Sequence, residues 1–162
     1  MEIEKKFLIA QMPEDIDSFE KKEIEQAYLC KNPIVRIRKS NENYILTYKS
    51  KFGLEDKPDR SAKVCNEVEL PLTKEGYLHL KEKADGKIIT KTRYLVPVAA
   101  GLTAEVDIFH GYLEGLEFLE VEFRTEEEAN SFEPPAWFGE DVSLDKRYSN
   151  NYLSTVKSFS DL

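Results

Sequence analysis

The sequence predicts a mainly β protein of the α+β class, with about eight strands in an antiparallel sheet or barrel and helices flanking it. Three observations carry that expectation. Segments with a period of two dominate the 162 residues, and the connections between most of them are short. The alternation also repeatedly sets charged residues on one face and apolar residues on the other. The length suits one domain, residues 1–162, large enough to bury a sizeable core.

The strands are expected at 2–9, 24–30, 34–39, 43–49, 64–70, 88–95, 104–109 and 117–124. Helices are expected at 14–22, 73–84, 126–132 and 146–159. Thr125, three residues before Glu128, gives the third helix a capping box, and Pro134-Pro135 stops it. Asp85-Gly86 ends the second helix and turns the chain into the next strand. The stretch 50–63, SKFGLEDKPDRSAK, is charged and interrupted by Gly53 and Pro58, so it reads as a mobile loop.

Composition narrows the class. With 41% hydrophobic and 33% charged residues the chain reads as an ordinary soluble globular protein. Its longest apolar runs are a few residues, too short for a membrane span or a signal peptide. Cys30 and Cys65 belong to no CxxC or Cys/His cluster and suit a reducing, cytoplasmic setting. A net charge of −8 argues against a protein that coats nucleic acid.

The charged face has an unusual pattern. Glu2, Glu4 and Lys6 share one face of the first strand; Arg36 and Arg38, Glu67 and Glu69, Lys91 and Arg93, Glu105 and Asp107, and Glu120 and Glu122 each bracket a single residue on later strands. Lys49 adds a cation at the end of YILTYK. Any one of these strands fits a solvated outer face. Six together fit it poorly, because a solvated face usually mixes signs and like charges side by side are destabilising. The opposite faces, with residues such as Ile3, Phe7, Val106, Ile108, Val121 and Phe123, need cover that helices supply in part. The sheet therefore has reason to close with its charged face inward, as an inverted barrel whose polar lumen needs a compensating guest.

Counting the charges indicates the guest. Eight acids and six bases leave the lumen at about −2, or about +2 with two divalent cations. Clustered carboxylates without His or Cys suit hard ions such as Mg²⁺ or Mn²⁺. Alternating arginines present planar forks that match phosphate oxygens. A short polyphosphate with its metal ions meets both requirements. Other chemistries lack their motifs: there is no GxxxxGK[ST], GxGxxG or GxSxG, and His79 and His110 have no partner at a recognisable spacing.

These residues resemble the CYTH superfamily, the triphosphate tunnel metalloenzymes. Glu2-x-Glu4-x-Lys6 is similar to that family's ExExK signature, and VRIRK at 35–39, YILTYK at 44–49, NEVEL at 66–70, IITKTRY at 88–94, AEVDIF at 104–109, GLEFLEVEF at 115–123 and VSLDKRYSNNYL at 142–153 follow in the family's order. The resemblance implies a closed eight-stranded antiparallel barrel with a charged lumen, dependent on Mg²⁺ or Mn²⁺ and acting on a small-molecule triphosphate. It places Glu2, Glu4, Asp107, Glu120 and Glu122 as metal ligands, and Lys6, Arg36, Arg38, Lys49, Lys91, Arg93 and either Lys146 or Arg147 as substrate-binding cations. Glu4, Glu67 and Glu69 are the expected catalytic carboxylates, the role of the Glu67–Glu69 pair being metal contact, water orientation or balancing of the arginines. Cys65 departs from the pattern, since many members carry a basic residue there, so that one substrate contact is either missing or replaced by Arg60 or Lys63.

The expected activity is hydrolysis of inorganic tripolyphosphate to pyrophosphate and phosphate. Alternatives are a nucleoside or thiamine triphosphatase, a class IV-type adenylate cyclase and a polyphosphate- or nucleotide-binding sensor. The retained acids favour an enzyme, because carboxylates without metal repel an anion. The sequence leaves the oligomeric state open, a homodimer included.

Overall fold

A computed structural model describes residues 1–162. All eight expected strands form: β1 (Glu2–Ile9), β2 (Glu20–Lys31), β3 (Ile34–Ser40), β4 (Asn43–Ser50), β5 (Lys63–Pro71), β6 (Asp85–Pro97), β7 (Thr103–Phe109) and β8 (Glu117–Phe123). A short β9 (Phe138–Asp141) joins them, and every pairing is antiparallel. The strand order is β5-β4-β3-β2-β6-β7-β8-β1-β9, and the barrel closes where β1 also pairs with β5. β1 is shared along its length: Glu2, Ile3 and Glu4 face Cys65, Val64 and Lys63, whereas Phe7 and Ile9 face Asp141 and Phe138.

Closure turns the charged faces inward. The outward residues Ile3, Phe7, Val64, Val106, Leu119, Val121 and Phe123 form the main core outside the barrel. Helix α2 (Glu126–Ser131) and the segment through Phe132 and Phe138 cover it. The Thr125 hydroxyl caps α2 by accepting from the Glu128 amide, while the Glu128 carboxylate accepts from the Arg124 amide. On the opposite side helix α1 (Lys74–Lys81), capped by Thr73, packs Tyr77 onto Ala27 and Ile37.

The lumen changes character along its axis. At one end the inward positions carry Glu69, Glu105 and Glu122. Towards the other end they become Ile89, Phe109 and Phe118, which pack against Leu153 and Val156 of the C-terminal segment. The barrel is therefore stoppered at one end with apolar side chains. Tyr112 Oη donates to the Leu153 carbonyl at 2.8 Å and Asn151 Nδ2 to the Lys31 carbonyl at 3.2 Å, which fix the stopper in place.

Two expected helices do not form as such. Residues 14–22 give only a 3-10 turn at Ile16–Ser18, because β2 starts at Glu20 and pairs Glu20 and Lys21 with Leu95 and Tyr94 of the long β6. Pairing with a neighbouring strand outweighs local helical preference there. Residues 146–159 break into a 3-10 turn at Lys146–Tyr148, a four-residue helix α3 (Asn150–Leu153) and loop. The Asp145 and Ser149 side chains accept from the Arg147 and Tyr152 amides, and such local bonds end a helix as readily as they begin one. Residues 51–62 form no regular element, as expected of that loop, and no helix is long and apolar enough to cross a membrane.

Leu119 is fully buried in the outer core. Leu119→Ala should cost about 2–5 kcal/mol, seen as a lower urea midpoint with an unchanged slope. A loss within measurement error would mean that the outer layer does not hold the barrel.

Candidate active site

The inward side chains enclose a cavity of about 230 Å³. From β1 and β8 it is lined by Glu2, Glu4, Lys6, Glu120 and Glu122; from β3 and β4 by Arg36, Arg38 and Lys49; from β5 to β7 by Lys63, Glu67, Glu69, Arg93 and Glu105. Strand register brings these groups together: Glu4 lies opposite Glu122, Lys6 opposite Glu120, and Lys49 opposite Glu67.

Ion pairs satisfy much of the enclosed charge. Lys49 Nζ is 2.8 Å from Glu2 Oε1 and 3.3 Å from Glu67 Oε2. Lys6 Nζ is 3.7 Å from Glu120 Oε1, donates to the Tyr148 carbonyl at 2.6 Å and lies over the Phe118 ring. Arg93 bonds Asp107 through Nε and Nη2, at 2.7 and 2.9 Å, and reaches Glu105 through Nη1 at 3.0 Å.

The acids are unequal. Burial, then the neighbouring Glu120 and Glu2 carboxylates, push Glu4 up to about 8. Against the cost of burial, Lys6, Arg93 and Lys91 hold Glu120 well below the usual carboxylate range. Burial together with Glu2, Glu105 and Glu67 raises Glu122. Three carboxyls thus crowd one wall, and part of the crowding is relieved by keeping a proton. A cation would relieve it better.

Several expected site residues lie elsewhere. Lys91 and Asp107 are fully buried and absent from the cavity lining. Lys91 Nζ donates to Asp107 Oδ2 at 2.7 Å, so with the Arg93 bonds both Asp107 oxygens are engaged. The expected metal ligand Asp107 is instead the buried anchor of two cations. Lys146 and Arg147 are exposed outside the cavity on the 3-10 turn Lys146–Tyr148, where the Asp145 carboxylate holds Arg147 at 2.7 Å. Ser149, Asn150 and Asn151 line the stoppered end in their place. Of the two replacements expected for the base missing at Cys65, Lys63 lines the cavity and Arg60 pairs with Glu126. The Cys65 thiol lies 3.5 Å from Glu2 Oε1, and burial and that carboxylate push it up to about 11.

The inward face of β2 was missed. Ile24 and Tyr28 line the cavity and Gln26 is buried between them. The like-charge pair of this strand, Glu23 and Glu25 in EIEQAY, lies on the opposite, outward face, where Glu25 meets Tyr77 and Lys81, so the charge pattern does not point to Ile24, Gln26 and Tyr28.

The donor set fits a hard divalent cation in chemistry: oxygen ligands only, with excess negative charge on one wall. No three carboxylates converge to ligating distance, since Lys49 and Lys6 occupy the gaps. Glu2, Glu4, Glu120 and Glu122 are the acids placed to hold such an ion.

No family model matches the chain. Two curated relatives do. The chain is 35% identical to an inorganic triphosphatase of Nitrosomonas europaea over 157 residues, covering 94% of this chain and 96% of that protein. It is 32% identical to an inorganic triphosphatase of Acetivibrio thermocellus over 156 residues, covering 94% and 92%. The crystal structure of the inorganic triphosphatase NE1496 superposes with a TM-score of 0.69 at 32% identity, over 98% of this chain and 97% of that one.

Two measurements test the electrostatics. Asp107→Asn leaves Lys91 and Arg93 buried without their shared carboxylate and should cost about 3–5 kcal/mol in denaturant unfolding. Glu4, whose folded value of about 8 lies above its ordinary 4.5, binds its proton more tightly in the folded state, so the metal-free protein loses stability as pH rises from about 4.5 to about 8. Glu4→Gln removes that loss. Its Tm should exceed the wild-type Tm by more at pH 9 than at pH 5, and an equal offset at both would contradict the shift.

Proposed function

Because this chain belongs to the inorganic triphosphatases of the CYTH superfamily, we propose that it hydrolyses inorganic tripolyphosphate to pyrophosphate and phosphate in its barrel. The observation that carries this reading is the cavity wall itself: crowded carboxylates, with Glu4 pushed to about 8, stand across from Arg36 and Arg38, which have no carboxylate partner. Such a cavity suits an anion arriving with cations.

A Mg²⁺ or Mn²⁺ ion held by Glu2, Glu4, Glu120 and Glu122 would supply charge neutralisation and a more acidic water. The chain's own residues do the rest. Arg36, Arg38, Lys49, Lys6 and Arg93 bind phosphate oxygens and stabilise charge on the leaving pyrophosphate. Glu4, Glu67 and Glu69 border the cavity as proton acceptors and orient the attacking water. Lys91 supports Arg93 through Asp107 and makes no substrate contact. The stoppered end favours a short, unsubstituted chain over one carrying a base and ribose, which ranks tripolyphosphate above ATP, thiamine triphosphate and cyclase chemistry.

The test is release of phosphate, pyrophosphate and cyclic AMP from tripolyphosphate, ATP, GTP and thiamine triphosphate, with Mg²⁺, with Mn²⁺ and with chelator. Metal-dependent turnover of tripolyphosphate is expected to dominate. Glu122→Gln should lower kcat by about a hundredfold or more without unfolding the protein. Tight tripolyphosphate binding without turnover of any substrate would replace the enzyme with a sensor.

A further inference from the structure

The three arginines of the cavity wall are held in two different ways. Arg93 is clamped by carboxylates: Asp107 and Glu105, with Glu120 at 3.9 Å. Arg38 has one side-chain partner, and it is neutral. Its Nε and Nη2 both donate to Gln26 Oε1, at 2.9 and 2.7 Å. Arg36 is held likewise, Nη2 donating to Thr47 Oγ1 at 3.3 Å.

Gln26 is entirely buried and lies directly opposite Arg38 in the β2–β3 register. Thr47, almost as buried, lies opposite Arg36 in the β3–β4 register. A carboxylate at position 26 would make the stronger, charge-assisted fork with Arg38. An amide oxygen fixes the guanidinium plane yet leaves its whole charge available. The Gln26 Nε2 has no partner of its own, so the Arg38 fork is the only side-chain bond that orients this amide. The cost of a buried unpaired donor is accepted to keep a neutral acceptor in place.

We infer that Gln26 is a positioning residue, whose carbonyl aims Arg38 into the cavity without neutralising it, so that the Arg36–Arg38 wall is the electropositive pole that takes the phosphate oxygens. The assignment rests on the triphosphate reading above and deepens it. Arg93, already matched by carboxylates, contributes shape more than net charge. Burial and the neighbouring Arg36 and Arg93 guanidinium groups push Arg38 down to about 9, consistent with a cation that lacks an anion of its own and gains most from binding one.

The test compares wild type, Gln26→Met and Gln26→Glu by calorimetric titration with tripolyphosphate, in chelator and in Mg²⁺, alongside Tm. A positioning role predicts that affinity falls in the order wild type, Gln26→Met, Gln26→Glu. The methionine variant should lose about threefold and the glutamate variant about tenfold or more, with the glutamate variant as stable as wild type. A merely structural role predicts the reverse order for the two variants, because a carboxylate supports Arg38 better than a thioether does. Glutamate-variant affinity within twofold of wild type therefore overturns the inference. Should that variant not fold, an unchanged affinity in Gln26→Met overturns it. Wild type that binds no tripolyphosphate overturns the functional reading, and this assignment with it.

Discussion

The pairing of β1 with β5, Glu2 against Cys65 and Glu4 against Lys63, closes the sheet onto its charged face. Everything else follows from that closure. Once the like-charge pairs are inside, water no longer screens them freely, and each must be paired, protonated or left for a ligand. All three outcomes occur. Lys49 bridges Glu2 and Glu67, Lys6 pairs with Glu120, Glu4 keeps its proton, and Arg36 and Arg38 are held by neutral oxygens alone. The barrel therefore carries separated poles, an acidic wall and a cationic wall, across one small cavity.

This separation explains why the buried layer behind the cavity is so thoroughly satisfied. Asp107 receives Lys91 and two nitrogens of Arg93 in a site sealed from solvent. Both Asp107 oxygens are engaged there, and Arg93 is held from behind while Arg36 and Arg38 keep no carboxylate partner. The same division appears along the barrel axis. Phe109, Phe118, Leu153 and Val156 stopper one end with ordinary apolar packing and leave the charged side chains to the other.

Much of this was legible in the sequence. Period-two alternation placed all eight strands, six of them marked by charge pairs, and the apolar residues on the opposite faces identified the outer core. Eleven of the expected site residues line the cavity, and Lys91 and Asp107 lie directly behind it. What failed had physical causes. A helix at 14–22 lost to strand pairing with β6, which no local pattern announces. The C-terminal helix lost to Asp145 and Ser149, whose side chains cap and break it, and Asp145 holds Arg147 outside the cavity. β9 is four residues long and exists only because β1 offers it an edge. Gln26 is neutral and buried on an inward face that carries no charge pair, so the pattern of acids and bases does not mark it.

The most direct test of the central claim is a manganese anomalous difference map from crystals grown with tripolyphosphate and Mn²⁺. The account predicts metal peaks inside the barrel against Glu2, Glu4, Glu120 and Glu122, with phosphate density against Arg36 and Arg38. Manganese and tripolyphosphate bound only outside the barrel, with the two walls unchanged, would contradict it.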